Sequence, residues 1–315
     1  MFERFFRPIS IVLLSYFCFP ASAFAGSDNC FEQFKASICV QSYGGKQYCG
    51  PGYLTTDFYI DTLENLFEFM PPFTRKLLCS LDGFLVVDDL GDAAGQYSAE
   101  TKSIELVRDN FFDETLVEDA VYGRFLNYFD ENTELNFEWR AYKSTDRALL
   151  NSKFGELYWV LTHELGHHFE ELMTIGSAFT CLYRNPSANP FSAPLSAEIK
   201  SILEQNAAKV PGGDAPSFYS WLNGSGFVSP YSLRDDDEDF AESFTYFVTI
   251  HSTSIQFTIS QNSKVLYDTN STAFRSGKLT KFATLDYLID AYLAGDEAVG
   301  LKMLTCAYLD ELDID

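Results

Sequence analysis

The chain has 315 residues, 46% of them apolar, with 30 Phe and 18 Tyr. That is enough apolar material for one large core or two moderate ones, and it excludes a disordered polymer. A net charge of −23 excludes nucleic acid and anionic membrane surfaces as expected partners, because both carry the same sign.

Residues 1–25 read as a secretory signal peptide. Arg4 and Arg7 precede an apolar run at 9–19 that is too short to span a bilayer, and Ala23-Phe24-Ala25 forms a small-x-small cleavage signature. The expected location is secreted, extracellular or periplasmic, with no membrane anchor after cleavage. Six cysteines follow: Cys30, Cys39, Cys49, Cys79, Cys181 and Cys306. They fit three disulfides in an oxidising compartment, and the four between 30 and 79 are expected to staple that region locally. Residues 26–80 form a cysteine-rich N-terminal segment, irregular over 26–56.

The spacing of Ile60, Leu63, Leu66, Phe67 and Met70 predicts a helix over 57–69, stopped by Pro71-Pro72. Another helical turn is expected over 75–80. Residues 83–88 read as a buried strand, and 96–98 with 103–107 as a hairpin. A helix at 111–129 and a strand at 136–142 come next. One long helix is then expected from 145 to about 173, with Leu157, Leu161, Leu165 and Phe169 as its buried stripe. Gly166 inside it costs about 1 kcal/mol relative to Ala, which a close backbone approach would explain. Beyond lie a proline-bearing loop at 176–194, a helix at 195–210, a short helix at 217–222 and a helix with an acidic start at 235–251. Residues 252–272 read as polar and partly extended. Two terminal helices, at 280–293 and 297–309, are separated by Gly295.

Three of the four histidines lie in Thr162-His163-Glu164-Leu165-Gly166-His167-His168. On a helix His163 and His167 share one face, a spacing that lets two imidazoles bind one Zn²⁺. Glu164 is too close in sequence to ligate the same ion, and it is placed to take a proton from an activated water. His168 points about 100° away from His167 on a 3.6-residue helix and is expected to be a flanking residue. A third ligand has to come from elsewhere. Glu238 and Glu242 lie four apart on the later helix; one can bind the metal while the other accepts a hydrogen bond from a ligand histidine.

His163-Glu164-Leu165-Gly166-His167 followed by Glu238-x-x-x-Glu242 resembles the gluzincin metallopeptidases. The resemblance implies Glu238 as the zinc ligand and Glu242 as the support of a histidine. The chain is more specifically similar to the catalytic domain of anthrax lethal factor and to the secreted Pro-Pro endopeptidases. The features that carry this are Tyr231, seven residues before Glu238, and the following Phe240-Ala241-Glu242-Ser243-Phe244. That similarity implies Tyr231 as a hydrogen-bond donor to the oxyanion of the reaction. It also implies that Gly95-Gln96-Tyr97 lies in an edge-strand hairpin against which an extended substrate pairs. The 70 residues between His167 and Glu238 are long for the family and point to an insertion near the cleft. Elements and resemblance together predict an α+β, zincin-like metallopeptidase domain over 81–315: a small mixed sheet with an edge strand over the active-site helix, then a mainly helical C-terminal part. The expected activity is that of a secreted zinc endopeptidase acting on protein or peptide substrates. The alternatives are a secreted zincin-fold protein that binds metal with little proteolysis, and a structural protein with an accidental motif.

Overall fold

The computed structural model describes residues 30–91, 93–111, 128–129, 133–150, 154–175, 212–234 and 236–295. The expected signal at 1–25, the loop at 176–194, the helices at 195–210 and 297–309, most of the helix at 111–129, and Cys181 and Cys306 lie outside the described residues.

From Cys30, where the described residues begin, the N-terminal segment is regular, contrary to the expectation over 26–56. Helix α1 (Cys30–Phe34) leads to strand β1 (Ile38–Gln41), which folds back as β2 (Gln47–Cys49). Strands of four and three residues are too short to display an alternating pattern in sequence. Cys39 and Cys49 are direct cross-strand partners and form a disulfide. Helix α2 (Leu54–Phe69) buries Ile60, Leu63, Leu66 and Phe67, the stripe read from the sequence. Helix α3 (Pro72–Cys79) starts on a proline, where the missing N–H costs nothing. It ends on Cys79, which is bonded to Cys30. The four clustered cysteines therefore pair locally, and two disulfides fit an oxidising compartment.

Strands β3 (Gly83–Val87), β4 (Gly95–Ser98) and β5 (Ser103–Val107) complete a mixed five-stranded sheet in the order β2-β1-β3-β5-β4. β1–β3 and β3–β5 are parallel; the two outer pairs are antiparallel. The sheet draws on both sides of residue 80, with β1 and β2 contributed by the cysteine-rich segment.

Strand β6 (Asn136–Ala141) precedes α4 (Ser144–Leu150) and α5 (Gly155–Met173). The single helix expected over 145–173 is thus two. Asn151 and Ser152, which lie between them in sequence, have weak helix propensity. Leu157, Leu161, Leu165 and Phe169 are fully buried along α5, each contributing about 2 kcal/mol by burial. Helix α6 (Ala215–Gly224) follows, then α7 (Asp236–Tyr246), whose last turn continues as a π-helix over Phe247–His251.

Among the described residues the C-terminal part is mainly helical, as expected, and it also carries strands where the sequence reads only as partly extended. β7 (Ile255–Gln261) and β8 (Lys264–Asp268) form a hairpin, and β6 pairs with β7 to make a three-stranded antiparallel sheet. Ile255, Phe257 and Ile259 face inward at period two, an apolar/polar alternation that is present in the sequence and that a reading of 252–272 as polar and partly extended passes over. Asn262 and Ser263 both take positive φ in the two-residue turn, as a hairpin of that length requires.

Helix α8 (Thr272–Ala294) begins two turns before the expected 280. The Ser271 hydroxyl caps it by accepting from the Phe274 amide at 3.1 Å. Gly277 is required there: a Cβ would stand 2.7 Å from the Ser225 carbonyl oxygen. One residue on, the buried Lys278 Nζ donates to the Leu222 and Asn223 carbonyls at 2.5 and 3.1 Å, at the C-terminal end of α6. Gly295 closes α8 in the left-handed conformation, at the break expected from the sequence. Among the described residues no helix is long and apolar enough to cross a membrane.

Candidate metal centre

Helices α5 and α7 pack closely at Gly166. A Cβ on Gly166 would stand 2.8 Å from Ala241 Cα and 3.2 Å from its carbonyl oxygen. The glycine that is costly for helix propensity is therefore what lets the two helices touch. This contact sets His163 and His167 of α5 opposite Glu238 and Glu242 of α7.

Glu238 Oε2 lies 3.0 Å from His163 Nε2 and 3.7 Å from His167 Nε2. No two of the three ligand atoms are more than 4.8 Å apart, so this partly buried group could hold a metal ion. Ligands placed tetrahedrally at 2.0–2.1 Å from one ion are about 3.3 Å from each other, and the two measured separations bracket that value. Behind the group, Glu242 Oε1 lies 3.2 Å from His163 Nδ1. The Ser229 hydroxyl donates to Glu242 Oε2 at 2.6 Å. Glu242 is 1% exposed and accepts on both oxygens, so it holds a His163 proton on Nδ1 and aims Nε2 at Glu238, to which Nε2 donates; an ion at that point would take the Nε2 lone pair in place of the proton. Burial pushes the Glu238 carboxyl up. The hydrogen bonds from His163 and His167 outweigh it and hold the group well below the usual carboxylate range. Glu238 is thus ionised, the form a ligand needs.

Compared with known proteins, the chain matches no family model, no curated protein and no solved structure. The chemistry of the site rests on its own geometry.

The other expected residues are also near. The Tyr231 hydroxyl donates to Glu238 Oε1 at 2.8 Å and accepts from Arg234 Nη1 at 3.0 Å. Glu164, 5% exposed, projects from α5 toward β4 rather than toward α7. Its Cγ is 3.1 Å from where a Cβ on Gly95 would stand, so Gly95 makes room for it. Three neighbours were not read from the sequence: Ser229, Arg234 and Ser80. Arg234 lies three residues after Tyr231 and four before Glu238, a helical spacing the sequence does carry, whereas Ser229 and Ser80 reach Glu242 and His168 through contacts that follow no helical or strand period.

His168 is not a ligand. It is fully buried, with Nδ1 3.0 Å from the Tyr97 hydroxyl and Nε2 2.9 Å from Ser80 Oγ. Burial lowers its pKa to about 4 from 6.5. The unfolded chain therefore takes up this proton more readily than the folded one between pH 6.5 and 4. Native stability from this group is complete above pH 6.5 and is lost as pH falls through 4, by about 3 kcal/mol at most. Thermal unfolding from pH 7 to 4 is expected to show a steeper fall in Tm for the wild-type protein than for His168→Gln. Equal slopes would assign the acid sensitivity to other groups.

Proposed function

We propose that this chain is a secreted zinc endopeptidase with a zincin-like fold. The observation that supports it is the convergence of His163 Nε2, His167 Nε2 and Glu238 Oε2 on one point, with Glu164 one residue along the same helix. Two imidazoles and one carboxylate are the donor set of hydrolytic zinc sites that keep a position open. A bound Zn²⁺ supplies Lewis acidity and lowers the pKa of water. Glu164 takes the proton of the attacking water and delivers it to the leaving amine. Tyr231 donates its hydroxyl to the developing oxyanion, exchanging its bond to Glu238 for that one. Glu242 and Ser229 hold His163 in one tautomer and orientation. The peptide lies extended beside β4, on the Glu164 side of the helix.

Metal content of the purified protein and cleavage of a peptide library test this reading. One zinc per chain, its loss from Glu238→Ala, and internal cuts in library peptides are expected. Zinc without any cleavage favours a metal-binding protein with little proteolysis. A protein that takes up no metal overturns the proposal.

A further inference from the structure

β4 is an edge strand: among the described residues no strand pairs with its outer side. The Ala94 carbonyl accepts from the Val107 amide at 3.1 Å on the inner side. Ladder bonds recur at every second residue of an antiparallel pair, so Gln96 and Ser98 face β5. The backbone N–H and C=O of Gly95 and Tyr97 point to the open edge. These same two residues face α5. Gly95 lies against Val160 and Glu164, and Tyr97 against His168 and Glu171. Two residues of strand advance about 6.7 Å and four of helix about 6 Å, so strand and helix run side by side in step over this stretch.

One hydroxyl joins them. Tyr97 donates to Glu171 Oε2 and accepts from His168 Nδ1 at 3.0 Å, and the Ser80 hydroxyl lies 2.9 Å from the other ring nitrogen. With the His168 proton on Nδ1 and the single Ser80 proton directed to Nε2 in place of the Leu77 carbonyl 2.7 Å away, all three bonds form together. The chain links β4, α5 and the residue after α3.

We propose that Tyr97 is a positioning residue that sets the distance between the β4 edge and Glu164, and with it the register of an extended peptide laid on that edge. This rests on the peptidase reading above. A peptide paired to the backbone of Gly95 and Tyr97 is aligned only as well as β4 is held against α5, and the Tyr97 hydroxyl supplies two of the bonds that hold it. Residues of the substrate that do not reach Tyr97 gain nothing from it. The effect therefore belongs to binding of long substrates and not to the chemical step.

The test compares a cleaved ten-residue library peptide with the same peptide cut down to one residue on each side of the scissile bond. Tyr97→Phe keeps the ring and loses the hydroxyl. It is expected to raise KM for the long peptide on the order of tenfold, with kcat within about twofold and kcat/KM for the short one unchanged. Glu171→Gln keeps an acceptor for the Tyr97 hydroxyl and is expected to stay near wild type, whereas Glu171→Ala follows Tyr97→Phe. That pair carries the test if Tyr97→Phe fails to fold. Equal losses on both peptides, a fall in kcat alone, or no change overturns the role of Tyr97 while leaving the peptidase reading intact. A wild-type protein that cuts no peptide overturns both.

Discussion

Glu164→Gln is expected to lower peptide hydrolysis by about 10²–10⁴-fold or more, while zinc content stays at the wild-type level. Glutamine has the shape of glutamate, so it keeps the packing of the side chain beside Gly95. It loses the ability to take a proton. Glu164 is not one of the three groups that converge on the ion position, so its replacement leaves the ligand set whole. The pairing of outcomes matters more than either alone. Loss of hydrolysis together with loss of zinc would mean a damaged site, and cleavage at the wild-type rate would remove Glu164 from the mechanism. A quenched fluorescent peptide and elemental analysis of the same sample give both readings.

Gly166→Ala is expected to destabilise the fold by about 2–3 kcal/mol and to weaken metal binding with it. On an ordinary helix this substitution gains up to about 1 kcal/mol. Here the sign reverses, because the new methyl would meet the backbone of Ala241 at 2.8 Å. The helices must part, and the gap between the two histidines and Glu238 widens as they do. Since the clash is with Cα and the carbonyl oxygen, Ala241→Gly does not rescue it. Urea unfolding and chelator competition measure the two effects. A variant as stable as wild type would mean that the two helices do not depend on this close contact.

The centre was legible in the sequence to the extent that its chemistry is local. His163, His167, Glu238 and Glu242 each belong to a pair four residues apart, and a helix turns such a pair into one face. Gly166 was legible for the same reason, as a cost with no local return. Ser229 was not, because it reaches Glu242 across a turn with no period to reveal it. Nor was the bond between Tyr97 and His168, which lie 71 positions apart. The fold divides in the same way. The long helices announced themselves by their apolar stripes, though not always by their ends. Helix α8 starts early because Ser271 caps it and Gly277 and Lys278 dock it on the end of α6, partners brought by tertiary structure. The β1–β2 hairpin is too short for a pattern, whereas β7 alternates apolar and polar residues from Ile255 to Ser260, a legible strand signal that a reading by overall polarity passes over.

The two N-terminal disulfides bear on how the protein survives a cut in its own chain. The tip of the β1–β2 hairpin carries Gly44, Gly45 and the 90% exposed Tyr43, the kind of site proteases attack first. It lies inside the Cys39–Cys49 loop, which lies inside the Cys30–Cys79 loop. A break there is bridged twice. β1 keeps its place between β2 and β3, and the fragments stay one particle until the bonds are reduced. The stapled hairpin makes a break in this exposed backbone of little consequence to the fold.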